Sequence, residues 1–147
     1  MSQSTRAGSA GHTAGRPPYV LNLFAADFAD GDEVDLGHQL PPNGLVEGGI
    51  LEVVVEETTA TTKTLSIGTL SSESGGDADG FDAAVDVSAT GKTIIDGALV
   101  GTLLEAVTAK SLSATFGDAA GATELEAKLT LWIRHEPGAG GYEANVN

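Results

Sequence analysis

Apolar and polar residues alternate with a period near two along most of this chain. The clearest case is Glu124–Arg134. Leu125, Ala127, Leu129, Leu131 and Ile133 lie on one face, and Glu124, Glu126, Lys128, Thr130, Trp132 and Arg134 on the other. In Ile50–Glu57, Leu51, Val53 and Val55 oppose Glu52, Val54 and Glu56. In Lys63–Leu70, Leu65 and Ile67 point inward while Thr64 and Ser66 point outward. Leu112, Ala114 and Phe116 alternate with Ser113 and Thr115, and Val34, Leu36 and Leu40 share a face with His38. Tyr19–Phe24 is a further strand candidate, apolar on both faces. Alternation over such lengths predicts half-buried antiparallel strands.

Turn signals separate these runs: Asp30-Gly31, Pro41-Pro42-Asn43-Gly44, Gly48-Gly49, Gly75-Gly76, Asp96-Gly97 and Gly117-Asp118. Six to eight short strands at this spacing predict an all-β domain, an antiparallel β-sandwich or a small β-barrel. Ala98–Lys110 breaks the pattern. Leu99, Val100, Leu103, Leu104 and Val107 repeat at helical spacing there, so one short helix is admitted, although Gly101 weakens it. Residues 1–18 are mostly small and polar and close on Pro17-Pro18. They read as a flexible N-terminal arm, residues 19–137 as one β-rich domain, and residues 138–147 as a loose C-terminal tail.

Composition adds a charge asymmetry. The net charge is −14, yet the first 26 residues hold Arg6 and Arg16 and no acid, so all 21 acids lie in the body. Such a surface repels phosphate, and no nucleic-acid partner is expected. The acids read either as solubilising or as complementary to a basic partner. There is no cysteine, which removes disulfides and thiolate metal sites. No apolar run approaches the roughly 20 residues that span a bilayer, so no membrane partner is expected. The N-terminus also lacks the apolar core of a secretory signal, and export by that route is not expected.

Residue patterns that carry chemistry are scarce. Asp77, Asp79 and Asp82 crowd the run Asp-Ala-Asp-Gly-Phe-Asp and are the candidate calcium ligands. An EF-hand register on Gly80 puts Gly75 at the first ligand position and Asp86 at the bidentate one. A glycine turn whose aspartates bond nearby N–H groups fits better. His12, His38 and His135 show no zinc spacing. His38 reads as a partly buried, hydrogen-bonded imidazole. No serine sits in a G-x-S-x-G elbow, and Gly91-Lys92-Thr93 lacks the first P-loop glycine, which would fall at Asp86. No catalytic residue and no cofactor is expected. Trp132, on the polar face of its strand, reads equally as an interface residue or as cover for a second layer.

The run Leu65-Ser-Ile-Gly-Thr-Leu-Ser-Ser-Glu-Ser-Gly-Gly-Asp-Ala-Asp-Gly-Phe81 resembles the head decoration, or cement, proteins of tailed bacteriophages. The resemblance covers about Ile50 to Arg134 and includes the alternating last strand. It implies a virion structural protein without enzymatic activity. Such a protein binds the major capsid protein on the outer surface of the capsid and stabilises the shell, commonly as a homotrimer. Arg6, Arg16, Tyr19, Phe24, Phe81 and Trp132 are the expected capsid or subunit contacts, with Phe81 also anchoring the loop. The other readings are a tail-tube, baseplate or fibre-associated module, or a calcium-stabilised β adhesion domain.

Overall fold

The computed structural model describes residues 18–104 and 109–135, and these form an all-β sandwich of two antiparallel sheets. In chain order the strands are β1 (Tyr19–Phe24), β2 (Glu33–Leu40), β3 (Gly44–Val55), β4 (Thr64–Thr69), β5 (Asp82–Asp86), β6 (Gly91–Ile94), β7 (Leu103–Leu104), β8 (Lys110–Phe116) and β9 (Glu126–His135). Sheet A runs β1-β9-β3-β6, with β7 also pairing β3, and sheet B runs β2-β8-β4-β5. The chain crosses between the sheets at most of its connections. Pro41–Gly44 makes one crossing, closed by the Gly44 N–H on the Pro41 carbonyl at 2.9 Å, with Asn43 at φ 59°.

The core lies between the sheets because the alternation puts one side chain in two there. Leu51, Leu129 and Leu131 from sheet A meet Leu65, Ile67, Leu112, Ala114 and Phe116 from sheet B, all fully buried. Phe28 reaches Phe116 edge-on, with ring centroids 5.5 Å apart, from a short 3-10 turn at Ala25–Phe28. The sandwich, rather than the barrel, is the outcome. Among the described residues each sheet keeps two open edges: β1 and, side by side along β3, β6 with β7 in sheet A; β2 and β5 in sheet B.

Four expectations fail. Gly48-Gly49 makes no turn but lies inside β3, beside a register shift against β9 between Val46 and Gly48. Val55 leaves the inner face at a second shift, between Val53 and Val55, and is exposed. The helix over Ala98–Lys110 is absent from its described part. Residues 97–102 form turns that bond Val100 N–H to the Gly97 carbonyl and Gly101 N–H to the Val46 carbonyl, after which the chain pairs with β3 as β7. Gly101, at φ 78°, ends the helical pattern. Residues 105–108, with Val107, lie outside the described residues. His38 is exposed rather than partly buried. Gly37 takes φ 77° and the β2–β8 register shifts between Asp35 and Gln39, so His38 leaves the apolar face and lies 5.9 Å from the Tyr19 ring. Arg6, Arg16, the arm and the tail also lie outside the described residues.

Candidate interaction surface

The glycine-aspartate loop, residues 70–81, is packed tightly on β4. Thr69 N–H donates to the Asp77 carbonyl, Asp77 N–H to Thr69 Oγ1, and Phe81 N–H to the Ile67 carbonyl, all at 2.8–2.9 Å. Gly68 permits this approach, since a Cβ there would stand 2.1 Å from the Asp77 carbonyl oxygen. Gly80 lets Leu99 close over the loop in the same way, at 2.3 Å. Phe81 is wholly buried. It anchors the loop, as expected, but leaves no ring surface for a capsid or a subunit, so that contact role is withdrawn.

The candidate calcium ligands do not gather. Among the described residues no group of three acidic or histidine side chains converges as a metal site. Asp77 lies against Asp79, and their side-chain contact, with burial, raises the Asp77 pKa. Asp82 is buried, and that burial, with Asp96 nearby, raises its pKa despite the Ala83 N–H on its Oδ1. Among the described residues its buried Oδ2 accepts no hydrogen bond of ordinary geometry, and the Asp96 N–H only weakly opposes the shift.

Other acids do a different job that the sequence reading missed. Six carboxylates each take both the N–H and the hydroxyl of a single serine or threonine. The pairs are Glu33–Ser71, Glu57–Thr59, Glu73–Ser111, Asp86–Ser88, Asp118–Thr61 and Glu124–Thr58. Three of these carboxylates, Glu57, Asp118 and Glu124, join the β3–β4 crossing to the β8–β9 crossing. Such crossings leave backbone donors with no ladder partner, and carboxylates satisfy them.

Glu57 is the centre of this end of the sandwich and is fully buried. Its Oε1 receives the N–H groups of Thr123, Glu124 and Leu125 at 2.9–3.0 Å. Its Oε2 receives Thr59 N–H, Thr59 Oγ1 and Ala60 N–H at 2.7–3.2 Å. Three successive N–H groups aimed at one oxygen form an anion nest. Burial pushes the Glu57 pKa up, but the bonds from Glu124, Thr59 and Leu125 outweigh it and hold the group at about 2. This is a structural carboxylate: every one of its strong acceptor positions is filled from within the chain.

The outer face of sheet A contrasts with that closed end. By register, Val20, Thr130, Ile50 and Ile94 form one row across β1, β9, β3 and β6. Val20 is 51% exposed and Ile94 75%. Trp132, 39% exposed, stands beside this row with only Gly48 opposite it on β3. Phe24 is exposed at the end of β1, and Val54 and Val55 at the end of β3. The next row is Asn22, Lys128, Glu52 and Lys92, in which Lys128 and Glu52 stand 3.9 Å apart. Phe24 and Trp132 are exposed on this outer face, whereas Tyr19, exposed at the start of β1, shares the inner-face parity of Leu21 and Leu23 and lies opposite Leu131. Among the described residues no helix is long and apolar enough to cross a membrane.

No family model, no curated protein and no solved structure matches the chain.

Proposed function

We propose that this chain is a bacteriophage capsid decoration protein, without enzymatic activity, seated on the outside of the major capsid protein shell. The observation that carries this reading is the run Leu65–Phe81, whose pattern resembles that family. The outer face of sheet A supports it. Val20, Ile50, Ile94 and Trp132 make an apolar band on a sheet, and contiguous exposed apolar surface rimmed by polar groups marks a docking face. The band crosses four strands, which suits a shell surface better than a small ligand.

The charge agrees with an outer location. A body with net charge −16 is repelled by packaged nucleic acid. Arg6 and Arg16 precede β1 in the sequence and are the basic residues of the proposed shell contact, together with Tyr19 and Phe24. Weak contacts from several copies on one shell add through effective concentration.

The test is quantitative mass spectrometry of purified virions. Copies near the number of major capsid subunits, or a simple fraction of it, support the decoration role. A handful of copies would transfer the chain to the tail or a vertex, and its absence from virions would remove the reading. Deletion of residues 1–16 is expected to lower occupancy on capsids while leaving the melting curve of the body unchanged.

A further inference from the structure

Three of the four sheet edges carry devices that stop another strand from adding to them. On β2 these are Glu33 and Asp35, a register shift and Gly37 at φ 77°. On β5 they are a register shift, Ala84 at φ 51° and a terminal aspartate at each end. The third edge, along β3, is divided between β6, four residues long and carrying Lys92, and the two-residue β7. Charges, bulges and shortness are the usual protections of an edge. By contrast β1, Tyr-Val-Leu-Asn-Leu-Phe, has no charge, no proline and an unbroken six-residue register with β9.

The direction of its open groups follows from the ladder. Ala25 N–H donates to the Leu125 carbonyl at 3.0 Å, in register with the β1–β9 pairing. Bonded and non-bonded pairs alternate in an antiparallel ladder, so Leu23, Leu21 and Tyr19 bond to β9. Val20, Asn22 and Phe24 aim their N–H and C=O groups away from it. Phe24 N–H agrees, since it is taken by Asp27 Oδ2 at 2.8 Å. At the other end Pro18 has no N–H to offer. The open edge is thus limited to Val20 and Asn22, symmetric about Leu21.

We infer that β1 joins two copies of this chain edge to edge, antiparallel, across a two-fold axis at Leu21. In that register Val20 of each copy exchanges both backbone bonds with Asn22 of the other, giving four bonds, and the two Leu21 side chains meet on the inner face. A second copy fits these limits residue for residue, because its own edge offers the same groups in reverse order. The pairing places no charged β1 side chain against another, despite the net charge of −14 on each chain. It also lays two sheet A outer faces side by side as one surface. Tyr19, Val20 and Phe24 are 41, 51 and 44% exposed, together a few hundred Å² per copy. A stable interface buries about 800 Å² per partner, so the pair is a concentration-dependent one.

The pairing is tested in solution without capsids, so its failure leaves the decoration reading standing. Sedimentation from dilute to the highest soluble concentration is expected to show monomer passing to dimer. Val20 and Asn22 amide exchange should slow over the same range. The double change Val20→Lys with Asn22→Lys puts like charges opposite one another on solvent-facing positions and is expected to hold the chain monomeric at an unchanged melting temperature. The chain has no cysteine, so Leu21→Cys supplies a single thiol on the two-fold. Non-bonded pairs bring Cα atoms to about 4.5 Å, within disulfide reach. Leu21→Cys is expected to form disulfide dimers about tenfold or more faster than the exposed loop control Ser72→Cys. A trimer, a monomer at all concentrations, or Val20 and Asn22 amides that exchange freely in the most concentrated sample would overturn the inference.

Discussion

The end of the sandwich around Glu57 and the edge at β1 treat their polar groups in opposite ways. At the first, Glu57 lies at 0% exposure and six donors converge on its two oxygens. At the second, Val20 and Asn22 keep backbone groups pointing outward, beside side chains that are exposed and apolar or uncharged. A crossing loop has no strand to pair with, so its donors need carboxylates from the chain itself. An edge strand already bonds on one side, and what its other side meets is a choice of partner. Acidic composition therefore has two meanings here. Some acids hold the loops together, and the rest colour the surface.

The largest expected effect lies at the closed end. Glu57→Gln keeps the shape but puts an amide donor where Thr59 and Ala60 already donate. The fall of the Glu57 pKa from the ordinary 4.5 to about 2 corresponds to on the order of 3 kcal/mol. The variant is expected to lose about that much in denaturant unfolding, or roughly 6–12 °C in melting temperature. A loss no larger than that of an exposed local clasp, Asp86→Asn, would break the contrast between the two regions.

Acid should reproduce the same loss in the native chain. A depressed carboxylate stabilises the fold above its unfolded pKa, and the stability goes as pH falls through the folded value. For Glu57 that window runs from about 4.5 down to about 2. Glu33, Glu73, Asp86 and Asp118 are lowered too and act with the same sign. Asp77 and Asp82 are raised and act oppositely, favouring the fold once protonated. The stability gap between the native chain and Glu57→Gln should therefore close between pH 5 and about pH 2. A gap that stays constant across that range would show that Glu57 is not held ionised.

The glycine-aspartate loop should respond by less. Gly68→Ala puts a methyl group on the Asp77 carbonyl and is expected to cost roughly 1–3 kcal/mol, read from chemical unfolding. At the open face stability should hardly move. Val20→Lys and Trp132→Lys are each expected to change it by within about 0.5 kcal/mol, yet to lower capsid occupancy in a co-sedimentation assay. Full occupancy by both variants would detach sheet A from shell binding.

Much of the sandwich was legible because period two survives wherever one face is buried. Tyr19–Phe24 is a strand with the expected ends, and Ala127, Leu129, Leu131 and Ile133 form the inner face of β9 as read, with Leu125 buried just before it. The short edges β5 and β6 and the two-residue β7 were not legible, since Asp82–Asp86 and Gly91–Ile94 are too short and too exposed to alternate clearly. Ala98–Leu104 misled because its apolar spacing serves a turn that packs on the core, with Leu99 beneath Gly80. The clasps were half hidden. Glu57–Thr59 and Asp86–Ser88 carry a signal, an acid two residues before a hydroxyl, whereas Asp118–Thr61 and Glu33–Ser71 join residues far apart in the chain. Loop chemistry of that kind becomes visible only when the crossings are brought together.

The most direct test of the division between a closed end and an open face is hydrogen exchange by mass spectrometry on the protein free and bound to capsids. Peptides covering residues 57–62 and 118–125 should be protected in both states and unchanged by binding, while those covering β1, Ile94 and Trp132 should gain protection on the shell. Protection gained at the Glu57 end, with β1 and the outer face of sheet A unchanged, would contradict the account.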